Sequence, residues 1–215
     1  LMQNFNFPYF SRDIAEFWRK WHISLSTWFR DYIYIPLGGS KGGVWIKLRN
    51  TFIVFILSGF WHGANWTYVV WGILNAIYFL PLLLANRNRN NLDVVSKGKL
   101  FPSIKQLFQI IITFCLIVFA WIFFRANTLN DAYTLISNLE SFGKIPFLGG
   151  INQFGHCILA IVLLFSIEYF MEFKPNFKLM NNPKPLVRWT SITVLLFIIL
   201  TLGVFNGGQF IYFQF

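Results

Sequence analysis

Charge is scarce in this 215-residue chain. Asp, Glu, Lys and Arg make up 12% of it, about half of the ~25% found in an ordinary soluble domain. That excludes a soluble globule hidden behind a charged shell. Acids are scarcer than bases, eight against eighteen, and no nucleophile–base–acid triad is visible among them. Cysteine is nearly absent. Cys115 and Cys157 lie in apolar runs without metal-ligand spacing, which excludes a disulfide framework or zinc cluster and predicts two buried thiols. There is no GxSxG elbow, no HExxH pair and no internal repeat. The glycines of "LGGSKGG" lack the spacing of a phosphate loop. The first residues lack the basic start and apolar core of a signal peptide, and the chain reads as the C-terminal part of a longer protein.

Apolar residues are what the chain has instead. They make up 56% of it, with 27 Phe, and the mean hydropathy is +0.54. That places it among membrane proteins. Apolar runs of spanning length occupy 66–85, 106–124, 151–171 and 186–205, each long enough to cross a bilayer. A shorter run, 51–61, ends at "HGAN". Some eleven helical residues rise only ~16 Å against a hydrocarbon thickness of ~30 Å, and the helix could lengthen through Lys47 to Asn50 only with those polar groups snorkelling. The turn at 62–65 is therefore expected within the membrane depth, as a re-entrant or broken helix lining an internal cavity.

The net charge of +10 fits basic loops better than nucleic-acid binding, for which no signature exists. Loops 36–49, 86–105 and 172–188 hold Lys41, Lys47, Arg49, Arg87, Arg89, Lys97, Lys99, Lys105, Lys174, Lys178, Lys184 and Arg188, while the alternate segments hold Arg125 and Lys144. The first set is expected on the cytoplasmic side of an inner, cytoplasmic membrane crossed several times. The "NRNRNN" stretch at 86–91 reads as a solvated connector.

Residues 11–35, "SRDIAEFWRKWHISLSTWFRDYIYI", place Ile14, Phe17, Trp18, Trp21, Leu25, Trp28 and Phe29 in one stripe about 120° wide on a helical wheel. Glu16, Arg19, Lys20 and Arg30 lie opposite. Ser11 is the expected N-cap. Tryptophans beside Lys and Arg predict an amphipathic helix at the membrane interface.

Three histidines remain, His22, His62 and His156. His62 stands in "SGFWHGANW", inside an apolar run, where an imidazole adds nothing to stability. It is either a functional base or a structural group bonding a carbonyl freed by the turn at Gly63. Asn65 stands where it would orient an imidazole or a ligand. His22 sits at the edge of the amphipathic stripe beside Trp21, as well explained by structure as by function. His156 opens a span at the interface and reads as structural.

The blocks "NFNFPYFSRDIAEFWRKWHISLSTWFRDYIYIPLGG" and "SGFWHGANWTYVVWG", with "WIFFRA" at 121–126 and "FIYFQF" at 210–215, resemble the membrane-bound O-acyltransferases, and most of all their alginate and exopolysaccharide O-acetyltransferase branch. The resemblance implies an all-α polytopic membrane protein, a bundle of tilted helices around a tunnel. Residues 1–215 would be the C-terminal part of that single membrane domain. His62 matches the active-site histidine of the family and His22 a second characteristic histidine. Trp61, Gly63 and Asn65 are then candidates for substrate binding, with Asn65 or an N–H near Gly63 steadying an oxyanion. The acyl donor would be an acetyl thioester such as acetyl-CoA on the cytoplasmic side, with no bound cofactor or metal. The partners would be the lipid bilayer, a periplasmic or extracellular acetylation protein and a polysaccharide acceptor. D-alanyl transfer to teichoic acid or another envelope polymer is the alternative. A transport or export subunit is a further one, against which stand the lack of paired intramembrane acids and of an inverted repeat.

Overall fold

The computed structural model describes residues 3–96, 101–139, 151–173 and 182–202. Among them every regular element is helical. Eight α-helices follow in order: α1 Ile14–Lys20, α2 Ile23–Phe29, α3 Val44–His62, α4 Trp66–Leu84, α5 Ile104–Arg125, α6 Leu129–Asn138, α7 Ile151–Phe173 and α8 Pro185–Leu202. The chain divides into two compact units, residues 1–143 and 144–215. The second contains α7 and α8, where the sequence places two spans; residues 203–205 lie outside the described residues. The first unit contains the elements that form the candidate site.

Three of its helices, α3, α4 and α5, are long and apolar enough to cross a membrane. α3 and α4 form an antiparallel hairpin around a three-residue turn. Their backbones meet closely because two glycines face each other's helix. A Cβ on Gly59 would overlap the carbonyl oxygen of Tyr68, and one on Gly72 would overlap that of Phe55. Small residues at such crossings let apolar helices bury backbone against backbone.

α3 begins earlier than the apolar run suggested. Its 19 residues rise about 28 Å, a full span rather than half of one. The polar residues at its start find partners in the preceding loop. Asn50, fully buried, donates to the carbonyls of Leu37 and Gly39 at 3.2 and 3.0 Å, and Arg49 donates to that of Leu37 at 2.9 Å. The chain does break at the "WHG" motif, but between the ends of two full-length helices and not partway along a span.

The 11–35 segment departs further from expectation. It is not one helix but two, with a wider π-type turn over Arg30–Tyr34. The break falls at His22, whose φ of 44° and ψ of 56° are left-handed. A wheel cannot foresee this, because the stripe is continuous and neither Gly nor Pro interrupts it. What makes the corner tolerable lies upstream. Asn6 N–H donates to the carbonyl of Lys20, Ile23 N–H to that of Asn4, and Ser24 N–H to Asn4 Oδ1, all at 2.9–3.0 Å. The backbone groups freed by the break are thereby satisfied.

The stripe of α1 also faces protein, not lipid. Ile14, Ala15 and Phe17 are buried, against α4 and α5. Phe17 stacks on Trp21 at 5.6 Å, and Trp21 meets Trp121 of α5 at 5.3 Å. Exposed aromatics suited to an interface survive only farther on, at Trp28 and Tyr32. The N-cap of α1 is Asp13, whose side chain accepts from Glu16 N–H at 2.7 Å, and not Ser11.

Glu16, expected on the solvated side, is 1% exposed. It accepts from Arg12 and Lys20, each at 3.0 Å, and Arg12 reaches on to Asp93 at 3.0 Å. Burial works against the charge of Arg12, but Glu16 and Asp93 outweigh it and hold the guanidinium above the usual arginine range. Arg19 donates to the carbonyls of Asn88 and Asn91 at 2.8 Å. The "NRNRNN" loop is thus clamped to α1 instead of being a loose connector.

Cys115 is exposed on α5, among the apolar residues on the outer surface of that helix, and not buried. The side chain of Cys157 lies outside the described residues.

Gly59→Ala and Gly72→Ala should each destabilise the protein by about 1–3 kcal/mol through overpacking. Gly155, whose Cβ would meet nothing within 4 Å, supplies the control. Thermal unfolding of the detergent-solubilised full-length protein measures both. Equal melting of all three variants would refute the close-approach argument.

Candidate functional site

His62 is the last residue of α3. The chain then turns at Gly63, whose φ of 150° and ψ of 154° suit glycine. A Cβ there would come within 2.8 Å of the Tyr68 ring. Asn65 starts α4 as its N-cap, its Oδ1 accepting from Thr67 N–H at 3.1 Å. Its Nδ2 donates to the Asn127 carbonyl at 2.8 Å, which ties the start of α4 to the end of α5. Both ends of the carboxamide are therefore engaged in holding backbone, and the geometry gives Asn65 a positioning role.

Rings from three helices surround His62. Trp61 lies 5.0 Å away between ring centres, Tyr68 6.2 Å, Trp71 5.5 Å and Phe124 4.9 Å. Trp71 and Phe124 meet the imidazole edge to face, at 89° and 80°. Of the expected ligand-binding residues, Trp61 is half exposed and adjoins the imidazole, while Gly63 and Asn65 make the turn beneath it. Phe124 belongs to the "WIFFRA" block, one helical turn after Trp121, so one face of α5 serves both α1 and His62. Sequence reasoning named that block without assigning its residues. The available signal was the i, i+3 spacing of two aromatics at the end of a span.

The wall has a polar anchor. Trp71 is 3% exposed and lies between His62 and Trp18, 5.7 Å from the latter. Asn75, fully buried one turn along α4, accepts from the Trp18 indole N–H at 3.2 Å and donates to the Trp71 carbonyl at 2.8 Å. Both polar ends of Asn75 are used, which fixes α1 against α4.

The structure brings His22 to the same region. The two imidazoles are close enough to interact electrostatically. His22 sits at the α1–α2 corner with its ring 6.3 Å from Phe5, and its Nδ1 is buried with no hydrogen-bond partner among the described residues. His156 is exposed, in α7 of the other unit. Among the described residues no three His, Cys, Asp or Glu side chains group to hold a metal ion. A cleft of about 650 Å³, lined in part by Arg12, Arg87, Asp93 and Lys105, lies at the opposite ends of α4 and α5 from His62.

With that geometry in place, residues 2–125 match the family model for membrane-bound O-acyltransferases, MBOAT. The chain belongs to this family. Its match begins in the segment that pins the α1–α2 corner and ends at Arg125, just after Phe124, so it covers His22, His62 and the whole aromatic wall. The chain is 39% identical over 171 residues to the probable alginate O-acetylase AlgI of Pseudomonas aeruginosa, covering 79% of this chain and 31% of that protein. It is 31% identical over 237 residues to the peptidoglycan O-acetyltransferase of Helicobacter pylori, covering 99% and 42%. To the teichoic acid D-alanyltransferase of Streptococcus thermophilus it is 35% identical over 145 residues, covering 60% and 34%. The chain thus spans less than half the length of these relatives.

The left-handed corner makes a test of what His22 contributes to folding. A non-glycine residue in this conformation costs about 1–2 kcal/mol. His22→Gly should therefore melt at a higher temperature than His22→Ala in the full-length protein. The reverse order would mean that packing of the side chain, and not its backbone, sets stability there.

Proposed function

We propose that the full-length protein is a multi-pass O-acetyltransferase of the cytoplasmic (inner) membrane. It moves an acetyl group from a thioester donor such as acetyl-CoA, presented on the cytoplasmic side, toward hydroxyls of a periplasmic or extracellular polysaccharide such as alginate. A periplasmic or extracellular acetylation protein is the partner expected to complete delivery. The observation that carries this reading is His62, at a helix end, walled by rings from three elements and within electrostatic reach of His22. The printed names of the alginate and peptidoglycan relatives support the acetyl group and the envelope polymer.

His62 acts as general base. Its neutral imidazole takes the proton from the acceptor hydroxyl as that oxygen bonds to the thioester carbonyl carbon. The tetrahedral intermediate then collapses, the carbon–sulfur bond breaks, and the imidazolium returns the proton to the leaving thiolate. Aromatic walls suit this chemistry by excluding water that would hydrolyse the thioester. His22 acts alongside as the second catalytic histidine. A cytoplasmic face at one end of the three long helices is supported by Lys41, Lys47, Arg87, Arg89 and Lys105 there, against Arg125 at the other ends.

D-alanyl transfer is the second reading, favoured by the similarity to the teichoic acid enzyme. Acetyl and D-alanyl groups have similar bulk, so the same site and base would serve.

The test expresses the full-length protein in a host whose polysaccharide O-acetylation has been deleted, with its partner proteins present. Wild type should restore ester-linked acetate. His62→Ala should lower transfer about 10²–10⁴-fold while reaching the membrane normally. A fully active His62→Ala would end the base assignment. Ester-linked D-alanine in place of acetate would favour the second reading.

A further inference from the structure

We propose that a groove beside α1 binds an anionic phospholipid, its phosphate among three arginines and its upper acyl chains along an apolar wall. The groove, of about 450 Å³, is bounded by Trp18 of α1, Phe79 of α4 and Leu92 of the following loop, and by Arg19, Arg30 and Arg89. No acidic side chain lines it among the described residues. The inference concerns the membrane and not the reaction, so it stands apart from the acyl-transfer reading.

The groove is graded along α4. Phe79 lies about one and a half turns before the end of that helix, and Arg89 follows in the loop beyond it. Apolar wall therefore lies toward the span and guanidinium groups past its end, the order in which a lipid presents its chains and its phosphate. Leu92 is 68% exposed, and an apolar side chain set beside three cations suits an acyl chain better than water. The exposed rings of Trp28 and Tyr32, on either side of Arg30 in the chain, are of the kind that settle at headgroup level.

The charges select the headgroup. Arg19 is tied by its bonds to the Asn88 and Asn91 carbonyls. Partial burial lowers its guanidinium below the usual arginine range, and Arg89 and Arg12 add to that against Asp13 and Glu16. Those two acids are already engaged, Glu16 by Arg12 and Lys20, and Asp13 by the Glu16 N–H and Asn91. Arg89 has no acid partner among the described residues, and the partner of Arg30 is its exposed neighbour Asp31, at 2.7 Å. A phosphodiester supplies the missing negative charge and accepts paired N–H bonds from a guanidinium. A headgroup amine would meet three cations and no carboxylate on the wall, which favours phosphatidylglycerol-type lipids over zwitterionic ones. Basic recesses between helices at a membrane surface hold anionic headgroups for this reason.

The experiment uses full-length protein in neutral detergent, with binding of single lipids followed by native mass spectrometry. Phosphatidylglycerol should bind about tenfold or more tighter than phosphatidylcholine. Arg30→Gln with Arg89→Gln should weaken phosphatidylglycerol binding about twentyfold, from roughly fivefold per cation. Leu92→Gln, which removes no charge, should weaken it about threefold. Lys41→Gln with Lys105→Gln removes as much charge outside the groove and should change binding by no more than about twofold. Melting without lipid checks that each variant folds. Should the double arginine variant fail, Arg89→Gln alone and Leu92→Gln decide.

Equal affinity for the two lipids overturns the proposal, as does an equal loss in the lysine pair, which would mean general attraction and no site. Inorganic phosphate that displaces phosphatidylglycerol at matching concentration, with Leu92→Gln unchanged, would make this a soluble-anion site and overturn the lipid. Wild-type protein that binds neither lipid would mean that the rest of the full-length chain fills the groove, which overturns it too.

Discussion

The close approach of α3 and α4 is the constraint from which the site is built. Gly59 and Gly72 each face a carbonyl of the partner helix, so the hairpin comes together at backbone distance. That separation decides where Tyr68 and Trp71 stand relative to His62, since all three lie within about one to two turns of the crossing. A wider hairpin would pull Trp71 away from the imidazole and leave room between them for water. In lipid, where apolar surface gains little by leaving the solvent, packing of this kind is what drives helices together. The glycines serve the fold and the site at once.

A second layer braces the hairpin from one side. α1 inserts Phe17, Trp18 and Trp21 between α4 and α5, and its polar face is bound by the Arg12–Glu16–Lys20 cluster and Asp93. Asp93 stays exposed, but taking Arg12, Glu16 and Lys20 largely out of water costs several kcal/mol per buried ion, and pairing returns most of that only when geometry is good. Such a cluster adds little net stability compared with apolar packing. Its geometry instead fixes which loop meets which helix, since Arg12 will not find both Glu16 and Asp93 in another register. Holding α1 in place is also what brings His22, at its far end, toward His62.

The parts of the fold legible in the sequence were those written in one place. α4 and α5 are continuous apolar runs, and their bounds came within two residues of the observed helices. The start of α3 was not settled by the sequence, because Arg49 and Asn50 look like a loop until the carbonyls of Leu37 and Gly39 are known to receive them. The corner at His22 was hidden for the same reason: its hydrogen bonds come from Asn4 and Asn6, some twenty residues upstream. Glu16 misled because a wheel shows a helix against solvent, whereas Arg12 and Lys20 enclose its carboxylate. In the site, His62 stood out as a lone imidazole in an apolar run. Phe124 did not, being one of 27 phenylalanines marked only by its i, i+3 spacing from Trp121.

The polar groups around the site divide by task, and the division suits the chemistry proposed for it. Asn4, Asn65 and Asn75 are carboxamides at the three junctions that shape it: the α1–α2 corner, the α3–α4 turn and the α1–α4 contact. Each bonds backbone or an indole N–H, with no charge to bury. An amide can both donate and accept, so one residue satisfies two elements in an apolar setting where an unpaired polar atom costs a few kcal/mol. The ionised groups of the α1 cluster stay with the loop at the other end of α4. Between these layers stand the two imidazoles and a wall of rings. A base that must take a proton from a neutral hydroxyl works best where no fixed charge holds it protonated or draws the proton elsewhere. The fold meets that requirement by leaving architecture to amides and surrounding His62 with rings.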